Sequence, residues 1–196
     1  TKYIKSEKQN SPMGTDEIGK YLVDAGEKYN VNPMLLVAMA YQESSLCTDS
    51  GGCRATLNPW GNLTPSRQLV KYSSWEESVY KWAQHVGQDH IEGAKKTTLA
   101  LELAYHCGTP NIETNTPGVC NGPEYYKNTI DRMSKMITLA GNALACSGGA
   151  TSQATLTTSG CQCPNTLGAI SSAGINEIEG HKLPAYKGGA GFEQPI

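Results

Sequence analysis

Glu43 is the residue from which chemistry can be argued most directly. It closes the stretch Pro33-Met-Leu-Leu-Val-Ala-Met-Ala-Tyr-Gln-Glu43-Ser-Ser45, in which nothing from Pro33 to Tyr41 carries a charge. A helix that is apolar all round belongs inside a domain, and the C-terminal end of a helix carries partial negative charge. Both surroundings disfavour an ionised carboxylate, so the expectation is a Glu43 carboxyl that holds its proton more tightly than usual. Such an acid is what protonation of a glycosidic leaving group requires. The structural alternative is that Glu43 is the first solvated residue after a buried helix, a common place for a carboxylate.

Other reactive side chains group less well. His85 and His90 lie in one predicted helix at a spacing that points them to different faces, which argues against a two-histidine zinc site. His106 beside Cys107 has the form of a thiol nucleophile, but a disulfide suits a cysteine-rich chain better. Cys161-Gln-Cys163 with His181 offers thiols and an imidazole, although a single intervening residue in a glycine-rich setting is a poor metal spacing. No phosphate-cradling glycine loop and no Ser-His-Asp order is visible. The expectation is therefore neither a metal nor a cofactor.

The 196 residues suffice for one main core with a small appendage. Net charge is -2 with basic and acidic residues interspersed, which indicates neither a nucleic-acid partner nor a polybasic membrane surface. No apolar run reaches the ~20 residues needed to span a bilayer. Seven cysteines without paired C-x-x-C knuckles point to an oxidising, extracytoplasmic compartment. Cys47 and Cys53 flank a short loop, Cys107 and Cys120 a longer one, and each pair could staple its loop. The odd count leaves one thiol over among Cys146, Cys161 and Cys163. Thr1 opens no signal peptide, and an exported protein is expected to appear in its mature or truncated form.

The elements that must position Glu43 are mostly helices. Residues 1–14 read as a polar N-terminal arm, and residues 15–146 as the folded domain. Thr15 caps a helix to Tyr29, with Ile18, Tyr21, Leu22, Ala25 and Tyr29 on one face. Asn32 and Pro33 start the buried central helix. Residues 47–67 read as a loop, or a small hairpin lobe. Ser74-Trp-Glu-Glu77 has the form of a capping box and opens a helix to about Ile91, with Trp75, Val79, Trp82 and Val86 inward. Further helices cover Thr98 to Tyr105 and the stretch from Gly122 to about Ala145, where Ile130, Met133, Ile137, Ala140 and Leu144 face the core. Residues 147–160 have linker composition, and residues 161–196 read as an extended Cys- and Gly-containing tail.

Four motifs stand in one order: Gln-Glu43-Ser-Ser at the end of a buried helix, Asn58-Pro-Trp-Gly-Asn62, Tyr72-Ser-Ser-Trp-Glu-Glu-Ser78, and Gly122-Pro-Glu-Tyr125-Tyr126-Lys. Over about residues 15 to 140 this pattern resembles the bacterial glucosaminidase family, a lysozyme-like group that cleaves peptidoglycan glycan chains. The resemblance implies a mainly α, lysozyme-like domain acting as a monomer on peptidoglycan or a related amino-sugar glycan. It also implies that Glu43 is the acid and that Tyr125 borders the reacting sugar. Asn58, Trp60, Asn62, Tyr72 and Tyr126 would contact substrate, with Trp60 an exposed stacking platform in a binding loop. For Tyr125 the alternative is a core tyrosine with a satisfied hydroxyl.

Many glycosidases carry a second carboxylate ~5 to 9.5 Å from the first. Asp49 lies in the Cys47–Cys53 loop, while Glu76 and Glu77 are accounted for by helix capping. With one acid, cleavage can be assisted by the substrate's own N-acetyl group, or can run through a muramic hydroxyl as in lytic transglycosylases. A module that binds cell wall without turnover is the reading of another class.

Overall fold

The helix Pro33–Ser44 begins as its residues dictate, with the Asn32 side chain accepting from the Met34 backbone N–H and proline in the first turn. It ends where Ser45 turns left-handed at φ 48°. Met34 through Ala40 are all buried, so this helix is the centre of the core. Around it the computed structural model describes residues 1–48, 51–114 and 120–147, together with two short strands in the tail.

Chain order is α1 (Lys2–Glu7), α2 (Asp16–Tyr29), α3 (Pro33–Ser44), a 3-10 turn (Ser45–Cys47), α4 (Gly51–Thr56) and α5 (Trp75–Gln84). Helix α5 runs on into a π-helix (His85–Gly93), followed by α6 (Leu99–His106) and α7 (Gly122–Ser147). The fold is mainly helical. Helix α2 packs on α5, and α3 packs on α2 and α7. Ser74 caps α5 by accepting from the Glu77 N–H, while the Glu77 carboxylate reaches back to the backbone N–H and hydroxyl of Ser73. Disulfides join Cys47 to Cys53 and Cys107 to Cys120. Such bridges are compatible with an extracellular protein. Among the described residues no helix is long and apolar enough to cross a membrane.

Several local expectations change. Residues 1–14 are not a free arm: they form α1 against α7 and bury Tyr3, Ile4 and Met13. The periodic signal there is only six residues long, too short to show a buried stripe. The stretch after Cys47 holds the helix α4 as well as a narrow turn bridged at Leu63 and Leu69. Ile137, expected inward, is 38% exposed because the buried stripe of α7 runs through Ile130, Met133 and Met136 and leaves Ile137 on the flank. Trp75 is half-buried, whereas Val79, Trp82 and Val86 face the core as expected.

The largest departure is the π-helix. Its wide turns bond residue i+5 to residue i, as in the Ala94 N–H to Asp89 carbonyl contact of 2.9 Å. Gly87 lies against the end of α2, where a Cβ would collide with the Tyr29 carbonyl oxygen, so only glycine lets the two backbones approach this closely.

In the tail, Glu177–Ile178 pairs antiparallel with His181–Lys182. The expected linker begins at Ser147, which is instead the last residue of α7; its residues 148–160, with Asp49, Cys161 and Cys163, lie outside the described residues, as do the side chain of Cys146 and all but these strands of the tail.

Candidate functional site

The C-terminus of α3, the turn after Asn58, the π-helix, and the ends of α6 and α7 that face each other enclose a cleft of about 580 Å³. Glu43 reaches it from the last turn of α3, and its side chain is 28% exposed. The chain beyond Glu43 is held sharply away. Ser45, Leu46 and Cys47 all have positive φ, of 48°, 56° and 61°. A non-glycine residue in this region costs ~1–3 kcal/mol and persists only where its surroundings fix it. Here the Ser44 hydroxyl accepts from the Cys47 N–H at 3.2 Å and donates to the Pro59 carbonyl at 2.8 Å. Leu46 is fully buried, and Ser11 from the N-terminal segment donates to its carbonyl at 2.7 Å.

Two side chains converge on one oxygen of Glu43. The Tyr125 hydroxyl donates to Oε1 at 2.7 Å, and Nε2 of His106 lies 3.2 Å from the same atom. His106 ends α6 and Tyr125 lies in the first turn of α7; the Cys107–Cys120 bridge ties those two helix ends together. Gln42, one residue before Glu43, donates to the Tyr125 carbonyl at 2.9 Å and fixes α7 against α3.

This convergence reverses the expected charge state. Partial burial pushes the Glu43 carboxyl up, but hydrogen bonds from His106 and Tyr125, with the positive field of His106, more than offset it. The net displacement is below the ordinary glutamate value. Sequence reasoning saw the apolar helix and its dipole but not the two donors, which arrive from sequence positions more than sixty residues away. Tyr125 shifts the opposite way: burial, then the adjacent Glu43 charge, raise it far above the usual phenol range, so it remains a donor.

The other expected site residues divide. Asn62 and Trp60 line the cleft with Glu43 and Tyr125. Asn58 and Tyr72 are not among the lining residues; they hold Asn62. Asn58 is 2% exposed and its amide donates to the Asn62 and Val70 carbonyls while accepting from the Asn62 N–H. The Tyr72 hydroxyl accepts from the Asn62 side chain at 2.8 Å. Tyr126 packs against the core, half-buried, and does not line the cleft.

Trp60 is a correction. It was expected exposed, but is only 2% exposed, donates its indole N–H to the Leu36 carbonyl at 2.9 Å and stacks on Trp82 at 5.8 Å. The Asn58-Pro-Trp turn folds back onto α3 through Ser44, so the ring lies against Trp82 in the wall of the cleft.

Sequence reasoning missed three histidines and one carboxylate. His85, His90 and His106 all line the cleft, grouped around Trp82 at ring distances of 5.4, 6.5 and 5.9 Å. Glu124, in the first turn of α7, is a second carboxylate of the cleft and accepts from the Asn121 amide at 2.8 Å. Its neighbours in sequence, Gly122-Pro123 and Tyr125, were the only available signal for it.

No protein-family model matches the chain, and no curated protein or solved structure does either.

Proposed function

We propose that the protein cleaves β-1,4 bonds between N-acetylated amino sugars of peptidoglycan or a related glycan, as a secreted or cell-envelope glycoside hydrolase with a lysozyme-like core. The observation that carries this reading is Glu43: one carboxylate at the end of a buried helix, met on a single oxygen by Tyr125 and His106, inside a polar cleft of about 580 Å³. The resemblance of the four sequence motifs to the glucosaminidase family supports it.

A general acid must deliver a proton, and Glu43 by itself is held ionised. A sugar that fills the cleft and displaces water deepens the burial of Glu43, the influence that raises its carboxyl. Substrate binding therefore favours the proton on Glu43, facing the glycosidic oxygen. Tyr125 remains a donor to Oε1 and holds the carboxyl in place. Glu124 supplies a second carboxylate to the cleft for activating water.

Incubation of the purified protein with peptidoglycan tests the reading. New reducing ends that Glu43→Gln abolishes are the expected result. Anhydromuramic ends would assign the same Glu43 to a lytic transglycosylase. Binding with neither product would make the protein a wall-binding module and sink the enzymatic reading.

A further inference from the structure

We propose that His85 and His90 form a binding site for a divalent late first-row transition ion, with zinc as the probe, on the wall of the cleft opposite the logic of Glu43. The site does not depend on the glycan-cleaving reading. Among the described residues no group of three or more His, Cys, Asp and Glu side chains is arranged to hold a metal. The site inferred is therefore a two-imidazole one, with its remaining positions open to water or to a donor group of a bound molecule.

Geometry points to it first. The π-helix carries the two rings onto one face, with Nε2 of His85 and Nε2 of His90 3.1 Å apart. With Zn–N bonds of ~2.05 Å, two nitrogens sit ~3.3 Å apart at a tetrahedral angle and ~2.9 Å apart at a right angle. The observed separation falls between these. Imidazole nitrogens also suit ions of this class, whereas harder cations prefer oxygen.

The second line is what stands behind each ring. Nδ1 of His90 is 2.8 Å from the Glu102 carboxylate, and Nδ1 of His85 is 2.6 Å from Asp89. Metal-bound histidines characteristically give their other ring N–H to a carboxylate, which fixes the tautomer and directs the remaining lone pair at the ion. Here both histidines have that backing. The two Nε2 atoms stand at hydrogen-bond distance, where they share a proton or, in the metal-bound state, an ion.

The third is burial. Glu102 is fully buried and its Oε2 has no hydrogen-bond partner, which leaves an unsatisfied oxygen beside the His90 ring. His90 is also buried, but His85 is 46% exposed on its side chain and opens the pair to the cleft. An ion can thus enter from solvent and rest against the buried Glu102–His90 pair.

Calorimetric titration of the 196-residue, disulfide-intact chain with zinc tests the proposal. One zinc per chain is expected. His85→Ala, chosen because the ring is half exposed and its loss should not prevent folding, should weaken binding by at least ~10-fold. Asp89→Asn should weaken it ~10- to 100-fold through the lost backing carboxylate. Cobalt bound in place of zinc should show no thiolate-to-metal charge-transfer absorption. The proposal is overturned if the wild-type chain takes up no zinc, if His85→Ala binds zinc undiminished, or if a thiolate band shows that cysteines hold the ion.

Discussion

The cleft has two walls that hold charge in opposite ways. On the Glu43 wall, donors from α6 and α7 gather on a single carboxylate oxygen and keep it negative. On the π-helix wall, two imidazoles are each backed by a carboxylate and bring their Nε2 atoms together. The first wall suits proton delivery and the second suits a bound cation. The first is assembled from three separate helices by a disulfide, whereas the second is largely local, with only Glu102 coming from another helix. This difference predicts that they can be damaged separately.

The largest expected effect is on the Glu43 wall. Glu43→Gln should lower glycan cleavage by ~10²- to 10⁴-fold, the usual contribution of a positioned acid, while zinc uptake stays as in the wild type. Reducing-end release and calorimetry on the same variant check both halves. An unchanged cleavage rate would place the acid elsewhere.

Next comes the cross-link. Replacing both Cys107 and Cys120 with alanine opens a loop with a sequence separation of 13 residues. It should cost about 3 kcal/mol in denaturant unfolding. It should also loosen His106 from Glu43, so that cleavage falls where the variant is still folded, while the histidine pair continues to bind zinc. Equal losses on both walls would mean that they are not independent.

Tyr125→Phe is milder and sharper. The folded-state value for Glu43 lies below its ordinary value, so its ionised form stabilises the protein above the ordinary range of ~4.3, and that contribution fades as pH falls through and below it. Removing one donor raises the folded-state value, which narrows this window from the acid side. Thermal unfolding from about pH 3 to pH 6 should show a weaker acid dependence than the wild type, and cleavage should drop ~10-fold, or ~1.4 kcal/mol in the barrier. The smallest effect is expected for Trp60→Phe, which strips the hydrogen bond to the Leu36 carbonyl and should cost ~1 kcal/mol of stability. A loss of affinity for glycan far beyond that would restore Trp60 as a stacking surface.

The central helix was readable because its signals are local. Asn32, Pro33 and an uncharged run each fix a nearby backbone choice, and the helix follows. The position of Glu43 followed with it. Its charge state did not, since His106 and Tyr125 reach it only through tertiary packing. Trp60 misled for a similar reason: glycine and proline around it signal a turn, but nothing local says that the turn folds back under Ser44. Asn58 and Tyr72 were found by motif yet act one step removed, by holding Asn62. The histidine pair was misplaced because a period of 3.6 was assumed where the backbone takes wider turns.

Those wider turns make one wall of the cleft sensitive to chain length. On an ordinary α-helix, residues five apart stand ~140° from one another around the axis, and His85 and His90 would no longer meet. Inserting a single residue between them would set the histidines six apart, ~120° around an α-helix, without altering either one. Most surface loops absorb a one-residue change, but here it would separate the pair, so the site is encoded as much in the number of residues as in their identity.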